Sequence, residues 1–192
     1  MQQQLSFGDA TQEPQVNIFL AIFPDAVACA AIVALGEDVR ARHELRGALR
    51  RPELLHATLC HLGEFAGLPP GLHERVLTAM DGFAAAPFDV TFDRVGSFAS
   101  GKGKSPCVLL GREGDSPLRD LHGDLRTRLL RAGLGRHIDK AFEPHVTACY
   151  DLRQVPTFAV PPIGWRVGEF VLVQSLTGRG EYRSLARWTL RD

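Results

Sequence analysis

The sequence has no excess of charge of either sign: Lys plus Arg and Asp plus Glu number 22 each, for a formal net charge of zero. A protein that grips long nucleic acid through its phosphates is normally clearly basic, because phosphate contacts need cations. Neutrality points instead to a small or terminal substrate, with positive potential confined to a cleft. Any Cys-x-x-Cys pair is also missing. Cys29, Cys60, Cys107 and Cys149 are widely spaced in apolar runs, the pattern of buried free thiols in a reducing cytosol. The opening Met1-Gln2-Gln3-Gln4 carries neither the basic nor the apolar region of a secretion signal. The longest apolar run, 26–35, is about half of what a membrane span requires. The expectation is a soluble, cytoplasmic protein without a membrane partner. No Gly-x-Ser-x-Gly elbow marks a nucleophilic serine, and no Walker loop is present. The run Ser100-Gly101-Lys102-Gly103-Lys104-Ser105 lacks the Walker spacing and reads as a hairpin loop.

What is present suits one compact domain: 192 residues, 45% of them hydrophobic. Residues 1–15 are polar and aperiodic and read as a flexible leader, leaving 16–192 as the domain. Strands are expected at 17–23, 54–63, 88–93, 107–110, 144–151, 167–174 and 182–190. Helices are expected from Asp25, as an early-turn acid, to about Arg50, from Leu72 to about Ala86, and from the Ser116-Pro117 start to Gly133. Pro161-Pro162 marks a loop, with room for a helical turn in 154–163. The order β-α-β-α-β-β-α-β-β-β predicts an α+β fold.

Two stretches organise the chain, His56-Ala57-Thr58-Leu59 and His145-Val146-Thr147-Ala148. Their histidines stand 89 positions apart, as do their threonines. Side chains alternate along a strand, so each His shares a face with its Thr. Their placement in the two halves of the chain predicts an internal duplication with a pseudo-twofold between the lobes. Lone histidines are usually structural, and His43, His61, His73, His122 and His137 are assigned to that class. Strand parity turns His61 away from the His56 face. A shared metal among His56, Cys60, His145 and Cys149 fails on reach. Residues four apart on a strand lie about 13 Å apart, whereas zinc ligands sit about 2.0–2.3 Å from one ion. Two imidazoles, by contrast, can hold opposite protonation states at neutral pH, which suits concerted acid–base catalysis. Two hydroxyls beside them suit the oxygens of a phosphodiester.

These motifs resemble the two-histidine phosphoesterase superfamily, specifically its RNA 2′,3′-cyclic phosphodiesterase branch, also called 2′-5′ RNA ligases. The likeness is carried by Arg51-Pro52-Glu53-Leu54-Leu55-His56-Ala57-Thr58-Leu59 and Phe142-Glu143-Pro144-His145-Val146-Thr147. The stretches 88–98 and 172–188 support it, so that it spans roughly 17–190. The resemblance implies a bilobal α+β fold, with two antiparallel sheets lining a central cleft and helices packed outside. It implies His56 as proton donor, His145 as proton acceptor, and Thr58 and Thr147 as phosphate ligands. It implies a monomer needing no metal or cofactor, acting on RNA ends or small cyclic-phosphate nucleotides and not on DNA. Phosphodiester hydrolysis of a small nucleotide, reverse 2′-5′ ligation and non-catalytic RNA binding stand as alternatives. Phe19, Lys102, Lys104, Arg136 and Tyr182 are candidates to stack on a base or hold a flanking phosphate. Ala148 stands where the family often has Leu, and looser core packing is expected there.

Overall fold

The computed structural model describes residues 14–99, 103–112, 116–138 and 141–191. Alternating apolar residues in β1 (Gln15–Ile22) send Val16, Ile18, Leu20 and Ile22 into the main core, and Phe19 and Ala21 to the opposite face. After α1 (Ala26–Arg42), β2 (Ala57–Ala66) and α2 (Leu72–Ala79) follow β3 (Phe88–Ser97) and β4 (Ser105–Gly111). Then come α3 (Ser116–Arg131), β5 (His145–Asp151), β6 (Phe158–Val167), β7 (Glu169–Leu176) and β8 (Glu181–Thr189). Single 3-10 turns at Pro52–Leu54 and Gly135–His137 precede the two tetrads. Residues 1–13 of the expected leader lie outside the described residues.

The strands run β6-β3-β4-β5-β2-β1-β7-β8, every neighbouring pair antiparallel. The α+β, two-lobed expectation holds, with one refinement. The two four-stranded halves are joined through a single register pair, Ala57 with Val146, into one eight-stranded sheet. Leu118, Leu121, Leu125 and Leu129 of α3 and Ala28, Ile32 and Val39 of α1 fill the core. The second, smaller apolar cluster of Phe19, Ala21, Val171 and Val173, flanked by Phe23 and Tyr182, lies on the other face of the β1–β7 pair.

Several boundaries differ from the sequence expectation, each for a local reason. Asp25 is the N-cap of α1 and not a first-turn acid: its carboxylate accepts from the Ala28 N–H at 2.8 Å. The helix stops at Arg42, well short of Arg50, and Glu44 takes a positive φ of 50°. Tertiary partners then replace helical ones. The buried Asp151 carboxylate accepts from the N–H groups of Arg46 and Gly47, both at 2.6 Å. Leu49 forms a bridge to Cys149, and the Arg50 N–H donates to the Ala148 carbonyl at 2.7 Å. Only glycine fits at 47, since a Cβ there would collide with the Tyr150 carbonyl. Helix α2 ends at Ala79, with Met80 as its C-cap and Gly82 at φ 62° just beyond. Pro161 and Pro162, read as a loop, lie inside β6. There, residues 160–162 bulge out opposite Asp93, between the pairs Phe92–Ile163 and Arg94–Ala159. An edge-strand bulge asks no N–H of them, which is where proline is tolerated.

Candidate active site

The site is assembled by the junction of the two halves. Antiparallel pairing of Ala57 with Val146, both fully buried, sets His56 across from Thr147 and Thr58 across from His145. All four side chains therefore emerge on the face opposite the core. Each strand then carries a bulge at the fourth residue of its tetrad. Leu59 is skipped between the pairs Ala21–Thr58 and Leu20–Cys60, and Ala148 between Val108–Thr147 and Cys107–Cys149. The bulges send Cys60 and Cys149 into the core and leave the His and Thr of each tetrad half-buried at the cleft.

Both imidazoles are anchored alike. His56 Nδ1 lies 2.9 Å from the Leu54 carbonyl, and His145 Nδ1 lies 2.8 Å from the Glu143 carbonyl. A carbonyl only accepts, so in each ring Nδ1 carries the proton and Nε2 is the nitrogen left for proton transfer. The His56 ring stacks on Phe19 at 4.9 Å and meets Tyr182 edge-on at 5.3 Å, with the Tyr182 hydroxyl 3.4 Å from Nδ1. Phe98 meets the His145 ring edge-on at 4.9 Å. Arg119 of α3 braces the other anchor, donating to the Phe142 carbonyl and pairing with Glu143 at 3.4 Å.

Burial pushes the His56 pKa down to about 4, with the charges of Arg50 and His145 adding to the fall and the Leu54 hydrogen bond opposing it. Burial therefore keeps His56 neutral at pH 7. The unfolded chain, with an ordinary imidazole near pH 6.5, binds this proton more readily than the folded one. Stability is thus expected to fall as pH drops from about 6.5 towards 4. Urea unfolding at pH 7 and pH 5 checks this: His56→Gln should flatten the dependence in that window, and an unchanged slope would contradict it.

A cavity of about 230 Å³ opens beside His145 and Thr58, lined also by His61, Phe98, His122, His137, Phe142 and Glu143. A second, of about 310 Å³, lies beside Tyr182 and Phe23 on the His56 side. Three histidines assigned above to a structural role thus border the cleft. His61 was expected to face away, but the Leu59 bulge returns it to the Thr58 face, opposite Phe19. His122 is 7% exposed, stacks on Phe142 at 4.2 Å and hydrogen-bonds the Leu59 carbonyl through Nδ1 at 2.7 Å. Its position four residues after Leu118, inside the apolar stripe of α3, was a signal for burial. Among the described residues, no group of three or more His, Cys, Asp or Glu side chains is arranged to hold a metal ion.

The other candidates divide. Phe19 is only 6% exposed and backs the His56 ring, so it positions the imidazole and offers no open face to a base. Tyr182 is half-buried and touches both His56 and Phe19. Lys104 and Arg136 are exposed and line neither cavity. Lys102 lies outside the described residues. Ala148 borders a void of about 10 Å³ beneath α1, together with Ile32, Gly36 and Val39. Phe98 and the cavity histidines are site residues that the sequence did not single out, and the charge of Arg50 acts on His56 from outside both cavities.

The two-lobed antiparallel sheet brings a His-x-Thr strand from each half to one cleft, an arrangement suited to acid–base work beside hydrogen-bond donors. The model of the 2′-5′ RNA ligase superfamily matches residues 24–179, and the chain belongs to that family. Among solved structures it resembles LigT of E. coli, at 27% identity over 94% of this chain and 99% of that one, with a TM-score of 0.71. A structure described as a phosphoesterase matches at 26% identity over 94% of this chain and 100% of that one, with a TM-score of 0.73. TT0787 of Thermus thermophilus shares the fold, at 24% identity over 91% and 98% of the two chains and a TM-score of 0.71. LigT has also been solved in complex with 3′-AMP. Among curated proteins none matches the chain in sequence. No described helix is long and apolar enough to cross a membrane.

Proposed function

We propose that the chain hydrolyses RNA 2′,3′-cyclic phosphate ends to 2′-phosphates without a metal. The observation that carries this reading is the junction register, which sets each threonine hydroxyl opposite the other tetrad's histidine. In the proposed step, Nε2 of His145 takes a proton from water while the water oxygen attacks phosphorus. The bond from phosphorus to the 3′ oxygen breaks, and Nε2 of His56 gives that oxygen a proton. Thr58 and Thr147 donate to the non-bridging oxygens, where charge accumulates. The two imidazoles return to their starting states by proton exchange with solvent. Because burial holds His56 neutral, its role as acid depends on the negative charge of the bound phosphate to draw a proton onto the ring.

The cavity beside His145, with Phe98 and Phe142 in its walls, gives a base somewhere to stack. A second reading, that the substrate is a small nucleotide, is favoured by the 3′-AMP complex of LigT. Non-catalytic RNA binding is disfavoured, since binding alone needs no acid–base pair. Competition decides between the first two readings. Equal amounts of a cyclic-phosphate-ended oligonucleotide and adenosine 2′,3′-cyclic phosphate are offered to the protein together. Preferential turnover of the oligonucleotide supports an RNA end as substrate, and preferential turnover of the mononucleotide overturns it.

A further inference from the structure

We propose that Arg50 is a substrate-binding residue of this site: its guanidinium, held over the Tyr150 ring, takes a non-bridging oxygen of the phosphate ester. The proposal rests on the phosphodiester reading above and adds a residue that neither tetrad contains. Three observations carry it. The first is placement. The bridge from Leu49 to Cys149 and the 2.7 Å bond from the Arg50 N–H to the Ala148 carbonyl fix Arg50 alongside the bulge that follows Thr147.

The second is support without neutralisation. The guanidinium carbon lies 5.4 Å from the centroid of Tyr150, a ring that is 42% exposed on the side of the strand opposite the buried Cys149. Other arginines of this region have carboxylates: Arg42 pairs with Asp38, Arg51 with Glu53, Arg119 with Glu143 and Arg153 with Glu44. Among the described residues no carboxylate pairs with the half-buried Arg50. An aromatic face holds the cation while its N–H fork stays available to an anion.

The third is that the charge of Arg50 is felt at the reacting group and its neighbour, for it acts on both His56 and Tyr182. An unpaired cation beside an imidazole that must carry a proton works against the reaction unless an anion arrives. A bound phosphate oxygen offsets that charge. Arg50 thereby ties protonation of the acid to occupancy of the site. The ligand class is a phosphate ester or free phosphate with at least one charged non-bridging oxygen.

The test compares wild type, Arg50→Met, which keeps the apolar stem, and Arg50→Lys, which keeps charge but not the fork. Affinity for inorganic phosphate, KM and kcat for adenosine 2′,3′-cyclic phosphate, and the NMR titration of His56 are read for each. Among the described residues, the other titratable groups that act on His56 are His145 and Tyr182, and both remain in every variant. In Arg50→Met, phosphate affinity should fall and KM rise about 10- to 100-fold, the range for losing one charged hydrogen bond. Free His56 should titrate at higher pH, and proton uptake at His56 on phosphate binding should shrink. Arg50→Lys should recover part of the affinity. Wild-type phosphate affinity and unmoved His56 titration in a folded Arg50→Met overturn the proposal while leaving the tetrads in place. If wild type neither binds phosphate nor turns over the cyclic ester, the phosphodiester reading falls and this proposal falls with it. Should Arg50→Met not fold, Arg50→Lys and Tyr150→Leu carry the test, and unchanged phosphate affinity in both overturns it.

Discussion

Replacing His56 or His145 with alanine is expected to lower kcat by about 10²–10⁴-fold, with a much smaller change in KM. A positioned general acid or base is worth that much, and the structure shows how each ring is positioned. The Leu54 and Glu143 carbonyls fix the Nδ1–H tautomers. Phe19 and Tyr182 pack against one ring and Phe98 against the other. Alanine removes the proton carrier and leaves the threonine hydroxyls in place, so the loss should appear in turnover. The double variant should lose less than the product of the two single losses, because in the proposed reaction acid and base act in one step. Steady-state kinetics on a cyclic-phosphate-ended oligonucleotide checks this, and full activity in either single variant would contradict the pairing. The wild-type rate should show a bell-shaped pH profile, as a paired acid and base produce.

The threonines come next in size. Thr58→Val and Thr147→Val keep shape and remove only the hydroxyl, and each should reduce kcat by about 10–10³-fold. That is the range at and below the loss of one transition-state hydrogen-bond donor. Thr→Ser at either position should retain most activity. The register predicts that the two effects are comparable, because Thr58 lies across from His145 as Thr147 lies across from His56. A large loss at one threonine and none at the other would mean that the phosphate sits off the local symmetry axis, against one lobe.

Which parts of this were legible in the sequence follows from the range of the interactions involved. The tetrads were legible because a His and a Thr two apart on a strand share a face whatever the strand pairs with. The α3 core stripe was legible for the same reason, at helical period. The end of α1 was not: Asp151, more than a hundred residues away, captures the Arg46 and Gly47 N–H groups, and no local pattern announces it. The face of His61 was misread because a bulge at Leu59 reverses parity, and a bulge is a property of strand pairing. Strand β6 was missed because paired prolines argue against a strand anywhere except at an edge bulge. Arg50 marked only the expected end of a helix. Its place over the Tyr150 ring arises only when the Leu49–Cys149 bridge forms.

The measurement that bears most directly on the account is product analysis with an oligonucleotide ending in a 2′,3′-cyclic phosphate. The oligonucleotide is incubated in EDTA with wild type and with the His56→Ala, His145→Ala double variant. Wild type is expected to give a 2′-phosphate with a free 3′ hydroxyl, and the double variant almost no product. A 3′-phosphate product, no reaction by wild type in EDTA, or equal rates for the two proteins would contradict it.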